Sequence, residues 1–227
     1  MPFEEVELEA LYGPLNETEK KNAPATLFVA GDKELLRRGR RVSVVGTRKP
    51  SEEGRKRAER FTRFLVEEGI TVVSGLAQGI DTVAHWTAIE SGGRTIAVLG
   101  TPLDKCYPAK NRELLERIMR EHLAVSQFPP GSPGGRRCFP MRNRTMALLS
   151  DATVIIEAGD GSGTLHQGWE ALRLGRLLFL AESLTKDPSV KWPAEMIHYG
   201  AQVLSDTKHF LDLLPEIGRN EVADLDF

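Results

Sequence analysis

The feature that most constrains this chain is a series of short, nearly continuous apolar runs separated by amphipathic stretches. The runs cover residues 42–46, 70–74, 95–99, 123–126, 153–157 and 176–180. Each is strand-sized and rich in Val, Ile and Leu. None shows the polar alternation of a half-exposed strand, so they read as parallel strands covered on both faces. Residues 26–29 read as one more strand, added at an edge. Helix patterns fill the gaps at 52–68, 80–90, 110–121, 142–149 and 164–174. In the first of these Ser51 is placed as N-cap. Ala58, Phe61, Phe64 and Leu65 recur at helical spacing, and Gly69 stands where a helix stops. Strands alternating with helices predict an α/β fold: an open, doubly wound, mostly parallel sheet with helices on both faces. Right-handed crossovers then bring all the strand carboxyl ends to one edge.

Three segments follow from this pattern. Residues 1–25 form an acidic lead-in, 26–181 the α/β domain, and 182–227 a short acidic extension with weaker helical patterns at 194–198 and 208–214. The stretch FPPGSPGGRRC, 128–138, reads as an exposed loop. No apolar run approaches the roughly 18 residues of a membrane span. The start, MPFEEVELEA, has no apolar signal region. The two cysteines, Cys106 and Cys138, belong to no C-x-x-C pair, which argues against a disulfide framework or a zinc finger. A cytoplasmic protein is expected.

The net charge of −2 conceals an uneven distribution. Residues 1–34 carry −5, residues 35–181 carry +8, and residues 182–227 carry −5. Of the 23 basic residues in the middle segment 19 are arginine, the side chain that grips phosphate bidentately. A polyanion is therefore one natural partner of the middle segment. A solvated surface of ion pairs accounts for the same charge equally well.

Three of the predicted strands run into loops with anion-binding chemistry. The first ends VVGTRKPSEEG, where Gly46 allows a sharp turn, Thr47 offers a hydroxyl and Arg48 stands at the strand edge before a helix N-terminus. The second ends VVSGLAQGIDTVAH, with Ser74 and Gly75 at the turn and Gly79 opening the next helix. Asp81 and His85, four apart, share one face of that helix; with no nucleophile beside them they read as a local contact rather than a catalytic pair. The fifth ends VIIEAGDGSGTLHQ, in which Gly159, Gly161 and Gly163 alternate with Ser162 before Thr164. This is a phosphate cradle in its chemistry, although it is neither a Walker A loop nor a dinucleotide fingerprint. Arg142, Asn143 and Arg144, in CFPMRNRTMALLS, are expected at a helix start, giving phosphate contacts beside an apolar wall. Tyr107, Phe128 and Phe139 are candidate base-stacking rings, though core packing explains each singly. The five histidines are scattered, so neither a metal nor another cofactor is expected.

Taken together, VVGTRKPSEEGR, VVSGLAQGIDTVAH, GGRTIAVLGTPLDKCYPAKNREL, FPMRNRTMALLS and VIIEAGDGSGTL resemble the DprA/Smf family of DNA-processing proteins, in the family's order over about residues 24–181. The resemblance implies an extended Rossmann fold that binds single-stranded DNA without catalysis, and a homodimer. It also implies support for loading a RecA-type recombinase during natural transformation. By position it assigns Gly46, Arg48, Ser74, Gly75, Gly79, Lys110, Arg142, Asn143, Arg144, Gly161, Ser162, Gly163 and Thr164 to the DNA pocket. The run His166-Gln167-Gly168 departs from the family's apolar stretch at that point. The segment before Thr26 is short for the family's N-terminal helical domain, and the tail is unlike a basic winged helix.

A rival reading is enzymatic. Residues 161–167 also resemble the phosphate loop of lysine-decarboxylase-like nucleotide phosphoribohydrolases. Gln167 stands where those enzymes carry an acid, and an amide is no general base near neutral pH. Glu170, one turn later, is the substitute that reading requires. A third reading is a module that senses a small phosphorylated nucleotide.

Overall fold

The computed structural model describes residues 3–215. Its elements run β1 (Glu4–Glu7), α1 (Leu8–Tyr12), α2 (Glu17–Lys20), β2 (Thr26–Gly31), a 3-10 turn (Lys33–Leu36), β3 (Arg41–Val45), α3 (Glu52–Glu67), β4 (Thr71–Ser74), α4 (Ile80–Glu90) and β5 (Thr95–Leu99). A second 3-10 turn (Ala109–Asn111) leads to α5 (Arg112–Glu121), β6 (Leu123–Ser126), α6 (Cys138–Leu148), β7 (Ala152–Ile155), α7 (Gly163–Arg173) and β8 (Leu177–Ala181). The chain continues through α8 (Glu182–Thr185), α9 (Trp192–His198), β9 (Gln202–Leu204) and α10 (Thr207–Leu213).

The nine strands of the described residues join one sheet, ordered β1-β2-β6-β5-β4-β3-β7-β8-β9. From β6 to β9 every neighbour is parallel, whereas β2 runs antiparallel to both β1 and β6. The apolar runs form the parallel strands because helices cover both faces. Along β5, Ile96 and Val98 enter one core, which also holds Met146, Ala147 and Ala171 of α6 and α7. Ala97 and Leu99 face the other way, among Ile89, Leu114 and Ile118 of α4 and α5. That second face continues over β3 and β4 as Val42, Val44 and Val72 beneath Ala58, Phe61 and Leu65 of α3. Ser51 caps α3 by accepting from the Gly54 amide at 2.9 Å. Gly69, at φ 67°, ends it.

Several expected boundaries shift for physical reasons. Residues 26–29 are not an edge: β2 extends to Gly31, and β1, drawn from the acidic lead-in, pairs outside it. The EEVE sequence of β1 shows one apolar residue, too few for a strand pattern. At the other end β9 pairs with β8, so the sheet runs past both residue 26 and residue 181. The acidic terminal run EVADLDF lies outside the described residues. The helix expected at 142–149 starts four residues earlier, at Cys138. Pro140 looks like a helix breaker but sits in the first turn, where an amide N–H has no intrahelical partner to lose. The helix expected from residue 110 begins after a 3-10 turn.

Candidate functional site

The order of the parallel strands reverses between β3 and β7. β4, β5 and β6 are added on one side of that pair, and β8 and β9 on the other. Adjacent loops therefore diverge there and leave a crevice at the carboxyl edge. A cavity of about 540 Å³ occupies the crevice. The loop after β3 supplies Gly46, Thr47, Arg48 and Lys49 to it, and the loop after β7 supplies Gly159 to Thr164. The α6 wall adds Phe139, Arg142, Asn143 and Met146, and the α4 side adds Asp81.

Backbone anchors shape the two loops. Thr47 N–H donates to the Glu157 carbonyl at 2.6 Å, and Thr164 Oγ1 donates to the Gly46 carbonyl at 3.0 Å. Ser51 N–H and Oγ donate to the two carboxylate oxygens of Glu157, at 2.9 and 2.6 Å. Gly79, at φ 80°, lies so close under the Thr47 carbonyl and the Arg48 backbone that a Cβ has no room. Gly161, at φ 71°, turns the second loop. Ser162 Oγ accepts from the Thr164 amide at 3.2 Å and so caps α7, whose positive end faces the cavity.

The candidate residues separate into distinct roles. Arg48 is exposed on the cavity wall and, among the described residues, makes no ion pair. Arg142 is only 6% exposed and works as a tether. Nη1 donates to the carbonyls of Gly75 and of Val98 (2.9 Å), and Nε to Asn143 Oδ1 at 3.0 Å. Burial lowers its pKa, Asp81 opposes that shift, and Arg48 adds to it. Asp81 is buried against it and accepts from the Gly75 and Ala77 amides, both at 3.2 Å. Burial raises the Asp81 pKa against the pull of Arg142 and those amides. Asn143 completes the chain by donating to the Gly163 carbonyl at 3.1 Å. The expectation that Arg142 starts a helix and offers its guanidinium freely is thus corrected. The earlier start of α6 puts it mid-helix and turns most of its donors inward.

Five further placements correct the sequence reading. Arg144, two residues on, points away from Arg142 around the helix, where it pairs with Glu170 at 2.8 Å outside the cavity. Lys110 is exposed in the second 3-10 turn, also outside the lining. Ser74 is fully buried, donating to the Val44 carbonyl at 2.7 Å, and holds β4 to β3. Gly79 supports the wall from beneath, and Gly75 borders a smaller recess beside Arg48, Tyr107 and Phe139. Of the aromatic candidates Phe128 is core. Tyr107 is 56% exposed, its ring 5.5 Å from that of Phe139. Lys49 and Asp160 line the cavity without having been singled out, although both lie within the quoted motifs. Asp81 and His85 do not meet: His85 Nδ1 bonds Thr95 Oγ1 at 2.7 Å. Gln167 is 1% exposed in the cavity lining, and with its amide turned to satisfy both of its ends the nitrogen donates to the Asn143 carbonyl at 2.6 Å. Glu170 is held between Arg144 and Arg173, at 2.8 and 2.7 Å, away from the cavity.

The family described as DNA recombination-mediator protein A matches residues 8–215. The chain belongs to this family. DNA processing protein DprA of Bacillus subtilis is 34% identical over 193 residues, 85% of this chain and 65% of that protein, so the chain spans just under two thirds of that relative's length. The solved structure of DprA from Streptococcus pneumoniae superposes with a TM-score of 0.83 at 34% identity, covering 94% of this chain and 75% of the other. DNA processing protein A from Helicobacter pylori shares the fold, with a TM-score of 0.79 at 24% identity over 99% and 97% of the two chains. The DprA resemblance and the Rossmann-like sheet expected from the sequence are both borne out. No helix among the described residues is long and apolar enough to cross a membrane.

Proposed function

We propose that the cavity holds single-stranded DNA and that the chain acts in DNA processing, as the names of its relatives suggest. The observation that carries this is Arg48: an exposed guanidinium without an ion pair among the described residues, at the strand-order reversal, between a glycine loop and the Tyr107–Phe139 rings. Arg48 and Lys49 meet phosphate, and loop amides of residues 161–164 add donors that read no base. The aromatic pair offers a face to unstacked bases, which a duplex does not present. The H. pylori protein's solved structure concerns its single-stranded DNA binding mode, and membership of the same family supports the same ligand here. Binding requires no catalysis. The capture of Glu170 by two arginines and of Gln167 by α6 weighs against the phosphoribohydrolase reading. The chain then works in the cytoplasm as a homodimer that delivers the strand to a RecA-type recombinase.

The test is a salt titration of binding to single-stranded and duplex oligonucleotides. The single strand should win. Arg48→Ala should weaken binding evenly across sequences and lower the salt slope by about one unit for each phosphate that the arginine neutralises. Arg63→Ala, on the outer face of α3, serves as control. Wild-type affinity and slope in Arg48→Ala would remove DNA from this cavity. Release of free base from a nucleoside monophosphate would support the enzyme instead.

A further inference from the structure

A second cavity, of about 500 Å³, opens on the same sheet edge beyond the carboxyl ends of β8 and β9. Its apolar wall includes Phe61, Phe64 and Leu204. Phe64 is fixed by ring contacts to Phe61 at 5.8 Å and Phe210 at 6.1 Å. Arg57 and Arg60, one turn apart on α3, line the cavity together with this wall. The two acids of the lining have partners of their own, one of them Lys186, a third basic residue of the lining. Glu182 pairs with Lys186 at 2.9 Å, and Asp206 caps α10 by accepting from the His209 amide at 2.8 Å. The arginines are not matched in this way. Among the described residues neither makes an ion pair, and Arg57 reaches only the Ile156 carbonyl, at 3.5 Å.

Two guanidinium groups without ion pairs in the same cavity as a fixed aromatic ring suit a flat base joined through a sugar to a phosphate, which is the chemistry of a nucleotide. The volume falls within the usual range of small-ligand sites, roughly 300–1,000 Å³. We propose that this cavity holds a second nucleotide of the same single strand, its base against Phe64 and its phosphate on Arg57 and Arg60. The inference rests on the single-strand reading of the first cavity. Helix α3 links the two sites. Ser51 at its start is bonded to Glu157, just ahead of the glycine loop, and Arg57 lies about 9 Å further along the helix axis. A few nucleotides span that distance. An acidic peptide would also find the arginines, but the shared edge and the ring favour the strand.

The experiment uses the full chain and two oligothymidylates, one sized for the first cavity alone and one several times longer. Replacing Arg57 and Arg60 together by Gln should weaken the longer strand about tenfold and lower its salt slope by at least about one unit, while the short strand binds as to wild type. Arg60→Gln alone, at an exposed position, keeps the test valid if Arg57→Gln perturbs folding. In wild type, 5-iodouracil stepped along the longer strand should give a photo-adduct on the peptide bearing Phe64. Loss of both oligonucleotides in Arg48→Ala, with no effect of the double variant on the longer one, would overturn the second site and leave the first. Wild-type protein that bound neither would instead sink the single-strand reading itself. An acidic peptide that bound through Arg57 and Arg60 without displacing DNA would assign the cavity to a protein partner and overturn the proposal.

Discussion

Three arginines that share one expected chemistry occupy three environments. Arg48 is exposed, Arg144 is paired with Glu170, and Arg142 is buried beside Asp81 with its donors committed to carbonyls. Arg142→Ala would strand Asp81 and leave the Gly75 and Val98 carbonyls without their partner. It should destabilise the fold by about 3 kcal/mol in urea titration, whereas Arg144→Ala should leave DNA affinity unchanged. An Arg142→Ala protein as stable as wild type would refute the tether. His85 makes a separate residue-scale prediction. Burial, aided by the charges of His122 and Arg142, depresses its pKa from 6.5 to about 3. Between pH 6.5 and about 3 the unfolded chain therefore binds a proton here that the folded chain does not, so this contribution to stability is present above pH 6.5 and is lost as pH falls. Asp81 acts in the opposite sense: its raised pKa favours the fold at low pH and is lost as pH rises. The His85→Gln variant should show a flatter loss of stability between pH 6.5 and 4 than wild type in urea midpoints.

At the scale of elements, the site is built by loops that rest on one another. Gly79 begins α4 at a positive φ directly beneath the Thr47–Arg48 backbone, and Ile80 N–H donates to the Thr47 carbonyl at 3.2 Å. Gly79→Ala adds a strained backbone and drives a methyl into that loop. It should cost at least about 1 kcal/mol and weaken DNA binding without removing any charge. Thermal melts and anisotropy on the same preparation check both effects; an unchanged melt would mean that the loop yields freely. The helices most legible in the sequence are those with both an end signal and a buried stripe. Ser51 and Gly69 bracket α3, and α4 is bounded as expected. Helix α6 reads short because Pro140 and the preceding glycines look like a loop until the unpaired first turn is taken into account. Strand β1 leaves no legible pattern, since only one of its residues faces inward and its register is set by pairing with β2.

For the whole molecule, β1 of the lead-in and β9 of the extension join the same sheet as the middle segment. Phe210, on α10, is fully buried against Phe61, Phe64 and Phe179, which joins the C-terminal segment to α3 and β8. Phe210→Ala should cost about 3–5 kcal/mol in chemical denaturation and, by loosening Phe64, should affect long DNA strands more than short ones. A small, purely local loss would show that α10 docks independently of the sheet. At the opposite edge of the strands, Arg41 is fully buried and donates to the carbonyls of Leu149 (3.0 Å), Leu36 (3.1 Å) and Gly39 (3.2 Å). Arg41 thus ties β3 to the end of α6 and to the turn before β3, while the carboxyl edge opens into the cavity at the strand-order reversal.

The sequence by itself determined the alternation of buried strands and helices, the glycine turns at the strand ends and the family resemblance. Each of these depends on local periodicity, on single-residue backbone freedom, or on ordered motifs that a linear string carries in full. Which candidate side chains reach the cavity was decided only by the tertiary structure. The one-turn extension of α6 sends Arg142 inward and Arg144 toward Glu170. The order of strands sets which loops face one another, and the pairing of β1 and β9 recruits segments whose own sequence shows little of a strand. Burial and partnership depend on groups far apart in the chain, such as Gly75 with Arg142 or Gly46 with Thr164. Those partners are neighbours in the fold and strangers in the sequence, so charge and spacing could propose the site but could not separate its ligand-facing residues from its supports.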